Sequence, residues 1–208
     1  MSVATIPASA FVHETSLLEE GVVLGEDSRV WDHVHIRHHT RIGDETSVGG
    51  GTTIAYDVSI GNRVKINSRA YIPTAVTIED GVMISAGVIF TNDRFPRATE
   101  PDLLTLKSSQ PDEETLPTRV CEGATIGAGA TIGCDLSIGR FAMIGMGSVV
   151  TRSVGDFHLS VGNPARHIGY VCRCGQRIAS LEPSLDIIQC QHCPHKYKIE
   201  NTTVTEIA

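Results

Sequence analysis

The chain has 208 residues, of which 41% are hydrophobic and 20% charged, and this balance is typical of a folded protein rather than a disordered one. Its net charge of −7 argues against nucleic-acid binding through a broad basic face. The N-terminal segment lacks the basic and apolar regions of a signal peptide, and no apolar run is long enough to span a bilayer. We therefore expect a cytoplasmic protein with no nucleic-acid partner and no membrane segment.

Apolar side chains recur at every sixth residue. One series runs in steps of six from Val12 to Phe90, and a second runs from Val120 to Val150. The residue two places before each of these is nearly always small or β-branched, and glycine often follows. Neither a helical period nor simple alternation singles out every sixth residue. The pattern predicts a solenoid in which each hexapeptide forms a short strand and a turn, with the aliphatic side chains stacked inside.

This pattern resembles the left-handed β-helix proteins built from hexapeptide repeats, over about residues 12–151. The resemblance implies an all-β, left-handed parallel β-helix in which three hexapeptides make each 18-residue turn. We predict that residues 1–170 form this β-helix domain and that residues 171–208 form a small C-terminal segment. Residues 91–119 break the repeat and are rich in proline and charge, so we expect an inserted loop there. A functional loop is favoured, and a disordered decoration is the alternative.

The 18-residue period predicts which side chains are stacked in columns along the solenoid. His35 and His38 fall at one edge with Tyr56, Tyr71 and Asn92, close to the root of the predicted loop. Imidazole titrates near neutrality, which suits a general base or a group that orients substrate. Solvated histidines on an exposed coil are the alternative. No carboxylate is expected beside these histidines, and a metal site there is disfavoured.

The terminal coils, ATIGAGATIGCDLSIGRFAMIGMGSVVTRSVGDFHLSVGNPARHIG, resemble those of hexapeptide acyltransferases that use acyl-CoA. Gly162–Arg166 matches the turn with which the β-helix of that group ends. The resemblance implies acetyl-CoA as cosubstrate, held in two ways: through backbone amides near Gly127, Ala128, Gly145 and Met146, and through arginines that meet its phosphates, Arg152 and Arg166.

A narrower resemblance covers residues 30–97. VWDHVHI, IGNRVKIN and AYIPTAVTIEDGVMISAGVIFTND are similar to N-acetyltransferases of nucleotide-linked amino sugars, which supply lipopolysaccharide O-antigen or glycan assembly. It implies a homotrimer that binds a nucleotide sugar, with catalytic His35 and Asn67. The implied substrate-binding residues are Trp31, Tyr71, Asn92, Arg94 and Arg97. Close members have Gln-Asn-Asn or Gln-Thr-Asn where this chain reads Asn67-Ser68-Arg69.

Two other classes of function stay open at this point. An O-acyltransferase acting on a sugar hydroxyl would need a firm general base. A non-catalytic scaffold or a carbonic-anhydrase-like protein is the other class. The anhydrase reading requires three zinc-binding histidines on adjacent coils, whereas Trp31–Arg41 concentrates them in one coil.

Four cysteines lie near the C-terminus, as Cys172 and Cys174 and then Cys190 and Cys193. The two pairs resemble a zinc ribbon, and thiolates favour tetrahedral zinc. A segment of this size also has too little core to fold unaided. We predict structural zinc held by these four cysteines, with His192 or His195 able to replace one of them; disulfides and free thiols are the alternatives. Cys121 and Cys134 are expected to be buried or turn thiols.

Overall fold

A computed structural model of the protein describes residues 3–182 and 187–207. Every regular element in these two ranges is a β-strand. Across the same ranges, no helix has both the length and the apolar character that crossing a bilayer requires.

The first repeat series forms fourteen strands, nearly all of two residues. In chain order they are β1 (Phe11–Val12), β2 (Leu17–Leu18), β3 (Val23–Leu24), β4 (Arg29–Val30), β5 (His35–Ile36), β6 (Arg41–Ile42), β7 (Ser47–Val48), β8 (Thr53–Ile54), β9 (Ser59–Ile60), β10 (Lys65–Ile66), β11 (Tyr71–Ile72), β12 (Val76–Ile78), β13 (Met83–Ile84) and β14 (Ile89–Phe90). The second series adds β15 (Thr118–Val120), β16 (Thr125–Ile126), β17 (Thr131–Ile132), β18 (Leu136–Ile138), β19 (Met143–Ile144) and β20 (Val149–Val150).

Every third strand pairs in parallel, which produces a three-sided β-helix. The first face contains β1, β4, β7, β10, β13, β16 and β19; the second contains β2, β5, β8, β11, β14, β17 and β20; the third contains β3, β6, β9, β12, β15 and β18. His35 lies opposite Thr53, and Thr53 lies opposite Tyr71, so successive coils are offset by 18 residues. The predicted parallel β-helix with three hexapeptides per turn is confirmed.

The repeated apolar residues form one continuous core. Val30 and Val48 on the first face and Ile36 and Ile54 on the second are fully buried, and these two columns continue to Ile144 and Val150. Small residues two places earlier, such as Thr40 and Thr52, are also fully buried. The hydroxyl of Thr40 donates to the carbonyl of Ala55 at 2.7 Å, so this buried polar group is satisfied.

The predicted insertion leaves the solenoid after β14 and returns at β15. Asp93 pairs with Thr115 where the two arms of the loop meet the solenoid. The loop ends at residue 117 rather than 119, because Thr118–Val120 already pairs with Val76–Ile78. The corner between the second and third faces, from which the loop departs, is called the loop corner below. The corner between the first and second faces is called the groove corner.

The C-terminal part continues from the first face. Its strands are β21 (His158–Gly162), β22 (Ala165–Val171), β23 (Arg177–Ala179), β24 (Ile187–Gln189), β25 (Lys196–Glu200) and β26 (Thr203–Ile207). β21 pairs in parallel with β19, whereas β22 and β23 add antiparallel strands to the same sheet. The boundary expected after residue 170 therefore falls inside β22. The division of the chain into two domains stays a prediction.

Two phenylalanines join the end of the solenoid to the C-terminal part. Phe141 and Phe157 occupy corner positions with φ of 53° and 61°, a backbone region that bulky side chains rarely adopt. Their rings stack at 5.4 Å, and Phe157 also packs at 5.3 Å against the buried ring of Tyr197. Gly123 lies beneath Phe141, where a Cβ would come within 2.2 Å of the ring. Burial of this aromatic cluster offsets the backbone strain.

Candidate functional site

A cleft of about 410 Å³ opens at the loop corner, between the second face and the inserted loop. Tyr56, Tyr71 and Thr74 line its solenoid side, and Asn92 and the loop line the other. The amide of Asn92 donates to the carbonyl of Thr74 at 3.4 Å, and the hydroxyl of Tyr56 donates to the carbonyl of Ser109 at 3.4 Å. The loop is thus attached to the solenoid at the column that the 18-residue period predicts.

The cleft carries more positive than negative side chains. Arg37, Arg97 and Lys107 line it together with one carboxylate, that of Asp93. Arg37 lies 3.5 Å from Glu19 and Lys107 lies 4.0 Å from Glu114, so Arg97 is the lining cation best placed to meet an anionic ligand such as a phosphate.

Next to the cleft, two histidines share one carboxylate. Glu19 Oε1 lies 2.7 Å from Nε2 of His35, and Glu19 Oε2 lies 2.9 Å from Nδ1 of His38. The backbone N–H of His38 also donates to Glu19, and Nε of Arg37 lies 3.5 Å from it. The expectation that no carboxylate accompanies these histidines was wrong. Glu19 stands one coil below Arg37, 18 residues earlier, so the same column argument extended downward would have found it.

The environment of Glu19 lowers its pKa. Partial burial by itself would raise the pKa, but hydrogen bonds from the side chain and backbone of His38, a further bond from His35 and the charge of Arg37 lower it to about 2. Glu19 therefore stays ionised and accepts from both imidazoles. When His35 donates through Nε2 and is neutral, its lone pair is on Nδ1.

His38 is also held by an aromatic contact. Its ring stacks on Tyr56 with the centroids 4.9 Å apart and the planes 2° apart. The guanidinium of Arg37 lies 4.9 Å from the centroid of the same tyrosine ring. His38 thus packs against Tyr56, which lines the cleft, and Glu19 links His38 to His35 on the second face.

The predicted substrate-binding residues divide between several locations. Tyr71, Asn92 and Arg97 line the loop-corner cleft. Arg94 instead pairs with Asp135 at 2.5 Å and lines a separate cavity, together with Cys134 and Arg152. Trp31 lies at the groove corner, packs at 5.5 Å against Phe11, and donates from Nε1 to the hydroxyl of Ser47. Within one chain the structure brings together three of these five residues.

Asn67 also lies at the groove corner, where its backbone carbonyl accepts from the hydroxyl of Thr52. The same corner forms a shallow groove of about 560 Å³ beside Ser68 and Arg69. Toward the C-terminal end of the solenoid, Gly87, Gly129 and Gly147 are stacked above Arg69 at the groove corner. A Cβ on any of these glycines would meet no atom within 4 Å. Arg69 shows that a residue with a side chain adopts the same positive φ in this column. We infer that these three glycines leave the floor of the groove open, a feature that the sequence reasoning missed.

The predicted cofactor residues lie mostly at the upper end of this groove. Gly147 N–H donates to the carbonyl of Ala128, and Met146 is 83% exposed. A Cβ on Gly127 would approach the backbone of Met146 within 2.5 Å, and one on Gly145 would approach Val161 within 2.6 Å. Packing alone therefore explains why Gly127 and Gly145 are glycines.

The two arginines predicted for the cofactor phosphates are separated. Arg166 pairs across the β21–β22 hairpin with Val161, whose side chain packs against Gly145. Arg152 lines the cavity of Arg94 on the other side of the second face. The structure brings Arg166, and not Arg152, to the upper end of the groove.

All four C-terminal cysteines converge. The sulfur atoms of Cys172, Cys174, Cys190 and Cys193 lie within 4.8 Å of one another. Cys172 and Cys193 are 3.2 Å apart, and Cys174 and Cys190 are 3.6 Å apart. Zinc–sulfur bonds of about 2.3 Å place tetrahedral ligands about 3.8 Å apart, so the cluster fits such an ion. His195 Nδ1 lies 3.3 Å from Cys193 Sγ, beside the cluster.

Cys121 and Cys134 lie outside this cluster. Both are half-buried free thiols, and Cys121 Sγ is 3.8 Å from the hydroxyl of Ser137.

The lowered pKa of Glu19 leads to a prediction about stability. A carboxyl group with a depressed folded-state pKa stabilises the fold above its unfolded pKa, and this contribution disappears as the pH falls through the folded value. We expect Glu19→Gln to lower the free energy of unfolding at neutral pH. The loss should be only about 1 kcal/mol, because Glu19 and its histidine partners are partly solvated. The difference from the wild type should shrink between about pH 4.5 and about pH 2. Urea midpoints at a series of pH values measure it.

The exposed Glu14→Gln variant controls for the loss of one formal charge in the same coil. Parallel stability curves for the wild type and Glu19→Gln down to pH 2 would contradict this account of Glu19.

Comparison with known proteins agrees with this architecture. Residues 21–55 match the family described as "Bacterial transferase hexapeptide (six repeats)". Among curated proteins, the chain is 38% identical over 90 residues to the dTDP-3-amino-3,6-dideoxy-alpha-D-galactopyranose 3-N-acetyltransferase of Aneurinibacillus thermoaerophilus. This match covers 43% of the chain and 45% of the relative, less than half of either protein.

Solved structures with a similar fold include a mutant of AntD, an N-acyltransferase from Bacillus cereus, in complex with dTDP and coenzyme A. It is 18% identical with a TM-score of 0.52, and the alignment covers 83% of this chain and 86% of that one. A mutant of GDP-perosamine N-acetyl transferase from Caulobacter crescentus is 21% identical with a TM-score of 0.47, covering 81% of this chain and 57% of that one. Residues 21–55 thus match hexapeptide repeats of the bacterial transferase type, and the parallel β-helix of the chain is similar in fold to AntD.

Proposed function

We propose that the protein is an acetyl-CoA-dependent N-acetyltransferase acting on the amino group of a nucleotide-linked amino sugar. The observation that carries this proposal is the 38% identity over 90 residues to a curated acetyltransferase of a dTDP-linked amino sugar. The loop-corner cleft and the glycine-floored groove provide two separate binding surfaces, as two substrates require.

The nucleotide sugar is assigned to the loop-corner cleft. Arg97 and Lys107 extend into it from the loop, where they can pair with a diphosphate, while Tyr71 and Asn92 offer a ring and an amide to the sugar. Arg94 is paired with Asp135 and lines a separate cavity, so its place in the predicted nucleotide site is weaker than that of Arg97.

The proposed reaction is direct attack of the neutral amine on the thioester carbonyl. The amine nitrogen bonds to the carbonyl carbon to give a tetrahedral oxyanion, whose collapse breaks the C–S bond, and the proton lost by nitrogen passes by way of the base to the departing thiolate. We assign the base to Nδ1 of His35, since Glu19 holds the other ring nitrogen. Backbone amides would stabilise the oxyanion, and no acyl-enzyme is needed.

Acetyl-CoA is assigned to the groove corner. From Arg69 to Gly147 the groove rises through three coil spacings, or about 14 Å at the usual separation of strands. Its floor is glycine or alanine at Gly87, Ala128 and Gly129, so an extended amide-bearing chain can approach the backbone closely. Arg166 at the upper end would meet the phosphates.

We also propose the homotrimer that the family resemblance implies, and a place in the biosynthesis of lipopolysaccharide or glycan precursors. A trimer would set the groove corner of one chain, with Trp31 and Asn67, against the second face of its neighbour. This arrangement would unite the predicted residues that one chain keeps apart.

A sugar O-acyltransferase is the second candidate. The pair formed by His35 and Glu19 at 2.7 Å is the firm base that a weakly nucleophilic hydroxyl requires. The same panel of acceptors, offered with amino and with hydroxyl groups, separates the two reactions.

The first prediction from this proposal concerns turnover. Thiol release from acetyl-CoA should occur with dTDP-linked amino sugars, and His35→Ala should lower kcat by about 10²–10⁴-fold if His35 is the base. Arg97→Ala should mainly raise KM for the sugar, because it removes binding common to the ground and transition states. Absence of thiol release with every amino sugar and sugar hydroxyl offered would reject the enzyme. Full activity in both His35→Ala and Arg97→Ala would show that the amino sugar binds outside the loop-corner cleft.

The donor site can be tested separately by blocking the groove. Ala128 is exposed at the groove corner, so Ala128→Trp should fill the groove without disturbing the core and weaken coenzyme A binding by at least about 10-fold, one lost interaction of 1.4 kcal/mol. Isothermal calorimetry measures the affinity. Ser59→Trp, an exposed position on the third face, is the control. Equal affinities in the two variants would remove coenzyme A from this groove.

We propose further that the four clustered cysteines hold one structural zinc ion. The support is the convergence of four sulfur atoms within 4.8 Å and the small aromatic core beneath them. When bound, zinc would crosslink the strands that carry these cysteines and supply folding free energy to a segment with little core. Four protein ligands leave no open position, so a catalytic role is not proposed for it.

A Cys172→Ser, Cys190→Ser double variant should release about one metal ion per chain, while the β-helix keeps its own aliphatic core. Metal analysis and circular dichroism of the purified protein measure the two effects. The Cys121→Ser, Cys134→Ser double variant should retain the metal. An unchanged metal content in the first variant would exclude this site.

A further inference from the structure

Tyr197, in β25, touches the cysteine cluster from inside the aromatic core. Its side chain is fully buried, and its hydroxyl oxygen lies 3.1 Å from Cys172 Sγ. The same oxygen accepts a hydrogen bond from the backbone N–H of Arg173 at 3.0 Å.

These two contacts define where the hydroxyl proton points. The N–H of Arg173 occupies a lone pair of the oxygen, so the tyrosine proton is free to be donated, and a buried O–H requires an acceptor. Cys172 Sγ is at the right distance to accept it. Building on the proposed metal site, we propose that the Tyr197 hydroxyl donates a hydrogen bond to the Cys172 thiolate and thereby increases the affinity of the cluster for its metal.

The position of Cys172 explains why this donor matters. Cys172 is 1% exposed, whereas Cys174 is exposed and can be stabilised by water. A buried thiolate without a donor would be costly, because charge is removed from water with no compensation. The backbone N–H of Cys174 also points to Cys172 Sγ, but at the longer distance of 3.5 Å. The Tyr197 hydroxyl is therefore the closer of these two donors.

The ring of Tyr197 has a separate role. It packs at 5.3 Å against Phe157, which stacks on Phe141 at the end of the solenoid. Tyr197→Phe keeps this packing and removes only the hydroxyl, so it isolates the hydrogen bond from the aromatic contact.

The test measures metal affinity in the full-length protein. Competition with a zinc chelator should show about 10–100-fold weaker binding in Tyr197→Phe than in the wild type, the usual effect of losing an outer partner of a ligand. Tyr170→Phe is the matched control. Tyr170 is a buried tyrosine of the same aromatic core as Tyr197, but its ring packs on His158 and His167.

A spectroscopic measurement distinguishes a hydrogen bond from a change in packing. In the cobalt(II)-loaded protein, loss of the donor should move the sulfur-to-cobalt charge-transfer band to longer wavelength, because the thiolate becomes a better electron donor. The Tyr170→Phe protein should keep the wild-type band.

A rescue variant keeps the inference testable if Tyr197→Phe folds poorly. Replacing Tyr197 by p-aminophenylalanine retains an N–H donor, and should restore affinity to within a few-fold of the wild type. Wild-type affinity and an unshifted band in Tyr197→Phe would overturn the role of the hydroxyl while leaving the zinc site intact. Failure of the wild-type protein to bind zinc or cobalt would instead reject the zinc site and this inference together.

Discussion

The solenoid and both of its candidate binding surfaces depend on the parallel stacking of coils with an 18-residue offset. Backbone N–H groups donate to carbonyls of the neighbouring coils, as when Arg41 donates to Val58 of the next coil at 2.9 Å. The ladder closes only if the aliphatic residue of each hexapeptide points inward, since a shift by one residue would expose the whole column. Burial of that column and the ladder thus enforce the same register.

The fixed register converts spacing in the chain into position on the surface. Residues 18 apart stand above one another, so the loop corner collects His38, Tyr56 and Asn92, and the groove corner collects Gly129 and Gly147. The inserted loop closes one corner into a cleft, while the glycines leave the other open. A uniform scaffold thereby acquires two different surfaces on either side of the second face.

The C-terminal part follows a different principle. Its strands are antiparallel, its core is a small aromatic cluster, and its four sulfur atoms converge at one point. Phe141 and Phe157 adopt an unfavourable backbone conformation because this lets their rings pack in the aromatic core. Tyr197 lies between the rings and the cysteines, so the aromatic contact to the solenoid and the geometry of the sulfur cluster are mechanically linked.

The hexapeptide repeat alone predicted a solenoid of parallel strands and the position of the inserted loop, and the spacing of the C-terminal cysteines predicted their cluster. The 18-residue turn came from the family resemblance that the repeat carries. Only the tertiary structure decided which predicted residues meet. Asn92 and Arg97 share a cleft with Tyr71, whereas Arg94 turns to Asp135 and Trp31 lies at another corner, because side-chain direction and loop path are not encoded in a period of six. Glu19 is different: the 18-residue spacing places it in the coil beneath Arg37, so its position was predictable, and only its hydrogen bonds to His35 and His38 required the folded structure.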